Sequence, residues 1–362
     1  MIINRSVGPV SLSTPVMTAM TQQIVSHRSK NFNLVVFRII ELLQLLFDTK
    51  QMPMLFTASG TGGLEAALVN TINKESRVLS LVTGYFGERF YNICKLFTDD
   101  VKKIEFKLGK AVDLDQLEKE LKQNHYDAIL ITHNETATGV LNPLEKIIRV
   151  IKKNSSAFIL VDAISSVGAV KIPFDELEID VMVAAPQKAL MSAPGLAILL
   201  ASNRILRLER KTPSLYFNFK NMIHFMEKGS TTYTPCIPAI FALEAALEII
   251  FQEGEEKVYQ HHRDNAEFCR TELIKLGLQL YADSNFVSPT VTAVLLDDIM
   301  DPVEFKNTLE AKHNVMLSLD MDNQQSKMIR IGHMGLIPKA QMDYSIKNIC
   351  ECYKNLKLQY SN

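Results

Sequence analysis

"VMVAAPQKALMSAPGLAILLA" runs from Val181 to Ala201, and two folds compete for it. Its length and apolar character suit a membrane span. Against that, Lys188 stands near its centre, and Pro186, Pro194 and Gly195 interrupt it. A buried ammonium is costly, and proline breaks a helix. Two short buried strands, "IDVMVAA" and "GLAILLA", flanking a loop fit the stretch better. Lys188 is then on that loop, either snorkelling outward or wanted as an amine.

Upstream of that pair, strand-like runs alternate with helical ones from Met54 onward. "MLFTAS" leads into "GGLEAALVNTI", where Leu64, Ala67, Leu68 and Ile72 share a face at helical spacing. "RVLSLVTG", "VKKIEFKL", "DAILITHN" and "AFILVDAISS" read as further strands. Helices through "ERFYNICKLF", "DLDQLEKEL" and "LNPLEKIIRVIKKN" separate them, with Asp113 or Asp115 placed to cap the second. The strand runs are β-branched and apolar with little alternation, as expected of strands covered on both faces. The fold class is therefore α/β, a mostly parallel sheet with right-handed crossovers and helices on its faces. In such a sheet a ligand sits at the carboxyl ends of the strands.

After Phe251 the pattern changes. A long helix through "EEKVYQHHRDNAEFCRTELIKLG" precedes the strands "TVTAVLLDD", "VMLSLD" and "MIRIGHMG", with a helix near "PVEFKNTLEAKH" and another at the end. This reads as a smaller α+β domain. The expected division is an arm over 1–15, a large domain over 16–252 and a small one over 253–362.

The 362 residues carry a net charge of -1, which gives no electrostatic reason to expect nucleic acid or an anionic membrane as partner. Hydrophobic residues at 47% and charged ones at 22% suit a soluble globular protein. The cysteines, Cys94, Cys236, Cys269, Cys350 and Cys352, are odd in number and lack zinc or redox spacing. They read as free thiols in a reducing compartment, with no metal site. The N-terminus has no apolar run after a basic start, so no signal peptide is expected and a cytoplasmic location is.

The residues just past each strand carry the chemistry. Ser59, Gly60 and Thr61 sit between a strand and a helix, where free N–H groups can meet a phosphate, although alone the turn is only a turn. Asp162 ends a buried strand, either as a cap or as the partner of a cationic ring nitrogen. Thr136 and Thr138 follow another strand beside His133 and Asn134, and Phe86 follows a third. Together with Lys188 these make an amine, an acid, a phosphate cradle, an aromatic plane and a hydroxyl donor. That set suits pyridoxal 5'-phosphate, which takes a lysine Schiff base and a carboxylate at its ring nitrogen.

At this point the sequence resembles the class V aminotransferases among the fold-type I pyridoxal-phosphate enzymes, and the alanine–glyoxylate / serine–pyruvate branch in particular. The motifs are "GPVSLS", "HRSKNF", "SGTGGLEAAL", "TGYFGERF", "THNETATGVLNP", "VDAISSVGA", "QKALMSAPG" and "IRIGHMG", in the family order. The resemblance implies that Lys188 forms the Schiff base and Asp162 holds the ring nitrogen protonated. It implies that Phe86 stacks on the ring, that Ser59, Gly60, Thr61 and Gln187 bind the phosphate, and that Thr136 lies near the ring hydroxyl. Arg330 clamps the substrate carboxylate, and the arm brings Gly8 to the substrate. Tyr233 and Thr234 reach the phosphate of a neighbouring subunit, implying a homodimer with shared active sites. The sequence departs from relatives at Ala185 and Pro186, where Gly-Ser is usual, and at Cys236, near a common threonine. The implied reaction is ping-pong transfer of an amino group from an alanine- or serine-type donor to a 2-oxo acid such as glyoxylate or pyruvate. The alternatives are a pyridoxal-phosphate lyase such as a cysteine desulfurase, or a catalytically silent binding homologue.

Overall fold

A computed structural model of the chain describes residues 2–209, 211–321 and 327–360. It opens with β1 (Ile3–Asn4), α1 (Thr14–Met20) and α2 (Lys30–Leu46). Next come β2 (Met54–Phe56), α3 (Gly60–Thr71), β3 (Val78–Val82), α4 (Tyr85–Cys94), β4 (Val101–Glu105) and α5 (Leu114–Gln123). They are followed by β5 (Ala128–Thr132), the small ribbon β6 (Asn134–Glu135) and β7 (Val140–Leu141), α6 (Leu144–Asn154) and β8 (Phe158–Asp162). The series closes with β9 (Val181–Ala184), β10 (Ala197–Ala201), α7 (Asn203–Leu206), α8 (Phe219–Met226) and α9 (Ile237–Glu253). Beyond lie α10 (Glu255–Lys275), β11 (Gln279–Leu280), β12 (Val291–Leu295), α11 (Pro302–His313), β13 (Val315–Met316), β14 (Ser318–Leu319), β15 (Met328–Gly332) and α12 (Lys339–Tyr360).

The stretch from Val181 to Ala201 is two strands, β9 and β10, in antiparallel register with Ile198 opposite Ala184. They belong to a seven-stranded sheet ordered β2-β10-β9-β8-β5-β3-β4. Only β10 runs against the others, because β9 and β10 join through a loop with no crossover helix. Helices cover the sheet. On α6 Leu144, Ile147, Ile148 and Ile151 face inward, while Lys152 and Lys153 complete its last turn, where cations complement the helix dipole. Asp113, and not Asp115, caps α5 by accepting the Gln116 N–H. α3 lies close against the sheet because Gly63 has no side chain: a Cβ there would come within 2.6 Å of Val183 Cγ1.

Two cores result. One extends from Ala19 to Val258 around the large sheet, and the other from Cys269 to Leu356 around the four-stranded sheet β11-β12-β15-β14. α10 contributes to both, through Val258 at one end and Cys269 and Leu273 at the other. "VMLSLD" is not one strand. The chain changes partners at buried Leu317, pairing as β13 with β1 and as β14 with β15.

The N-terminal residues run across this framework. β1 pairs in parallel with β13, and the Arg5 carbonyl accepts the Gly332 N–H at 2.7 Å. Further on, Val7 N–H donates to Ser318 Oγ and Val10 N–H to the Gln187 carbonyl. Among the described residues no helix is long and apolar enough to cross a membrane.

Candidate active site

The parallel strands β2, β3, β5, β8 and β9 end on one edge of the sheet, and the residues beyond them converge there. Asp162 ends β8 beside Thr132 of β5 and Val183 of β9. It is buried. Its Oδ1 accepts the Ile164 N–H at 3.0 Å, and its other oxygen takes no hydrogen bond among the described residues. Burial raises its carboxyl to about 6, against the Ile164 bond and the positive charges of Lys188 and Arg89.

Lys188 follows β9. Its ammonium is lowered to about 8, chiefly by burial, with Arg330 adding, Asp162 opposing and Arg89 adding further. Nζ donates to the Val7 carbonyl at 2.5 Å. Gly8 presses on the same side chain. Its φ is +92°, and a Cβ there would lie 2.7 Å from Lys188 Cδ and 2.9 Å from Nζ. Only glycine adopts that backbone and leaves that room.

Arg330, on β15 of the four-stranded sheet, is 2% exposed. Nε and Nη2 donate to the Leu319 carbonyl, and Nη1 to the Thr136 carbonyl at 3.1 Å. Three of its five N–H groups are thereby fixed on backbone, and among the described residues the other two, one on each terminal nitrogen, meet no acceptor and form a fork for a carboxylate. Thr136 is thus brought to Arg330, and its hydroxyl takes no bond among the described residues.

Ser59 caps α3, its side chain accepting the Gly62 N–H at 3.3 Å. The N–H groups of Gly60 and Thr61 open the helix with no partner among the described residues, the arrangement that receives an anion. Gly60 serves packing as well, since a Cβ there would strike Ile164 Cδ1 at 2.6 Å. Gln187 carries a buried amide oxygen, Oε1, that no donor among the described residues meets.

Phe86 is half-buried at the start of α4, with the Arg89 guanidinium 4.9 Å from its ring centroid. Its backbone is fixed by a residue that the sequence reading passed over. Glu135 is fully buried, and its carboxylate accepts the N–H groups of Phe86 at 2.9 Å, Gly87 at 3.0 Å and Ala137 at 3.0 Å. Burial raises its carboxyl to about 7 against those three bonds. Arg89 is the second omission: its charge bears on both Lys188 and Asp162. The signals were a carboxylate inside "THNETATG" and a lone cation one turn after Phe86.

Tyr233 and Thr234 are not brought to this group within the chain. The Tyr233 ring stacks on Tyr216 at 5.2 Å and its hydroxyl donates to the Leu215 carbonyl, while Thr234 is exposed. Their segment borders the β2–α3 turn, where the Cys236 N–H donates to Thr57 Oγ1.

The family description "Aminotransferase class-V" matches residues 15–320, most of the chain. The chain belongs to the class V aminotransferases. A serine–glyoxylate aminotransferase of Arabidopsis thaliana is 32% identical over 344 residues, covering 92% of this chain and 86% of that protein. An uncharacterized aminotransferase of Methanocaldococcus jannaschii is 31% identical, covering 92% and 88%. An alanine–glyoxylate aminotransferase structure from Nostoc sp. superposes with a TM-score of 0.91 at 26% identity, covering 97% of this chain and 95% of that one.

As a class V aminotransferase of fold type I, the protein uses pyridoxal 5'-phosphate. The residues present fit that group. A lysine amine of lowered basicity, a buried carboxylate with a free oxygen, two open helix N–H groups and an orphaned buried amide are what an aldehyde, a ring nitrogen and a phosphate require.

Proposed function

We propose that this aminotransferase moves the amino group of a small α-amino acid, of alanine or serine type, to a 2-oxo acid such as glyoxylate or pyruvate, by a ping-pong route. The observation that carries the reading is a buried amine, Lys188, in the field of a backbone-anchored guanidinium, Arg330. The relatives named above, whose names specify serine, alanine and glyoxylate, support the substrate class.

The cofactor, when bound, supplies a carbonyl for the amino group and a sink for the electrons of the α-carbon. In this reading Arg330 offers its two free N–H groups to the substrate carboxylate and fixes the α-carbon. Lys188 Nζ, neutral above pH of about 8 and steadied by the Val7 carbonyl, takes the α-proton and delivers it elsewhere on the same face. Asp162 keeps its free oxygen on the ring nitrogen, and Phe86 supports the ring. Ser59, Gly60, Thr61 and Gln187 hold the phosphate, Thr136 lies by the ring hydroxyl, and Gly8 borders the substrate. Residues 1–15 act as an arm on a large domain (16–252) and a small one (253–362). Tyr233 and Thr234, outside the site of their own chain, serve that of a second copy in a cytoplasmic homodimer.

The cysteine desulfurase alternative, which needs a reactive thiol, gains nothing from Cys94, Cys269, Cys350 or Cys352, whose thiols burial holds above their usual range. Initial rates with alanine, serine and aspartate against glyoxylate and pyruvate test the proposal. Parallel double-reciprocal lines with a small donor are expected. Release of ammonia or sulfide from the donor would overturn it.

A further inference from the structure

The arm that reaches Lys188 also walls a cavity of about 290 Å³, bounded by residues 4–6 and 10–13, Met191, Ile249, Gly332 and residues 334–338 with Gln341. Lys188, Asp162 and Arg330 are not among its lining residues. Arg5 is, and it is only 3% exposed. Its Nη2 donates to Gln341 Oε1 at 2.8 Å, and its Nε is buried with no acceptor among the described residues.

No Asp or Glu lines the cavity, and none pairs with Arg5 among the described residues. Burial brings the guanidinium down to about 10, opposed by Cys269, whose own thiol is pushed up to about 12 and is neutral near pH 7. A desolvated guanidinium without a counter-charge is expensive, and its fork matches an oxyanion. Asn4, Ser6, Ser11 and Ser13 supply further polar groups to the same wall.

We propose that this cavity binds a small oxyanion, phosphate or carboxylate, on the Arg5 fork. The placement has a consequence for the active site. Two residues beyond Arg5 the Val7 carbonyl receives Lys188 Nζ, and the Val10 N–H donates to the carbonyl of Gln187. An anion seated on Arg5 holds the arm that holds the lysine.

Calorimetric titration of the cofactor-loaded protein with inorganic phosphate, and separately with malonate, tests this. One anion per chain that Arg5→Gln removes and that Arg330→Ala, which lacks the substrate fork, retains is expected, and the tighter of the two probes identifies the ligand class. Arg5→Gln is expected to weaken binding at least tenfold. Gln341→Glu is nearly isosteric and puts a carboxylate on Nη2, so it is expected to raise Tm while also weakening anion binding at least tenfold. This second variant keeps the test decisive if Arg5→Gln does not fold. No binding by the wild type, equal affinity in wild type, Arg5→Gln and Gln341→Glu, or a Gln341→Glu protein no more stable than wild type would overturn the proposal. The last result would mean that Arg5 already has a counter-charge, for instance from a second copy of the chain.

Discussion

Lys188 and Arg330 meet the same substrate with different tasks, so their variants fail differently. Lys188→Ala is expected to remove the visible absorbance of bound cofactor and to lower kcat by at least about 10³-fold, since it deletes both the covalent anchor and the proton carrier. Arg330→Ala is expected to raise KM for amino and oxo acid alike, by roughly ten- to a hundredfold, the loss of a charge-assisted bidentate contact. Arg330→Lys should not restore it, because an ammonium that spends two N–H groups on the Leu319 and Thr136 carbonyls has one left and cannot grip a carboxylate with two. An unchanged KM would move carboxylate binding elsewhere. The pH dependence follows from the lowered lysine. Lys188 reacts as the neutral amine, so capture of cofactor by the cofactor-free protein should rise about tenfold per pH unit below about 8 and level off above it. Stopped-flow absorbance would measure this, and a flat profile from pH 6 to 8 would contradict it. Lys188 and Asp162 stood out because residue type and strand-end position together suggest a role, whereas Arg330, in the middle of β15, was reached only through the family motif "IRIGHMG". Glu135 was not legible, because its role comes from three backbone N–H groups that only the folded turns bring to one carboxylate.

At the scale of elements, Gly63 gives the clearest test. Alanine normally favours a helix interior over glycine by up to about 1 kcal/mol. At Gly63 the added methyl would meet Val183 Cγ1 at 2.6 Å and Ala197 Cβ at 3.1 Å. Gly63→Ala is therefore expected to destabilise by about 1–3 kcal/mol, the usual cost of overpacking a filled core. Denaturant unfolding would read it, and a gain in stability would show that α3 stands further off β9 and β10. The α/β alternation was legible because buried strands and amphipathic helices leave different periods in the sequence. α6 and α5 show this well. α9 does not, since its two faces are both apolar enough to blur the period: Ile237, Phe241, Leu243 and Leu247 are all buried. The break in "VMLSLD" was hidden for another reason. A strand that changes partners keeps its composition, and the partner of β13 is β1, more than three hundred residues away.

At the scale of the whole molecule, two cores share α10 and are tied again by the arm, which joins β13 of one to Gln187 and Lys188 of the other. The cofactor would add a further tie, since Arg330 comes from the small sheet and Lys188 from the large one. Added pyridoxal 5'-phosphate is expected to raise Tm with concentration, by an amount equivalent to ~2.7 kcal/mol at a hundredfold excess over Kd. Lys188→Ala should diminish that rise. The order of the motifs made the fold readable from end to end, whereas Arg5 and its cavity depend on how an arm lies on a distant domain and left no sequence pattern. The central claim is that Lys188 and its neighbours form a working transamination site. Mixing the cofactor-loaded protein with a single small amino acid and no acceptor, while following the visible absorbance and the 2-oxo acid formed, tests it most directly. One equivalent of 2-oxo acid per chain is expected, with a matching loss of the cofactor band, and neither in Lys188→Ala. Multiple turnovers with ammonia release, or oxo acid formation that survives Lys188→Ala, would contradict it.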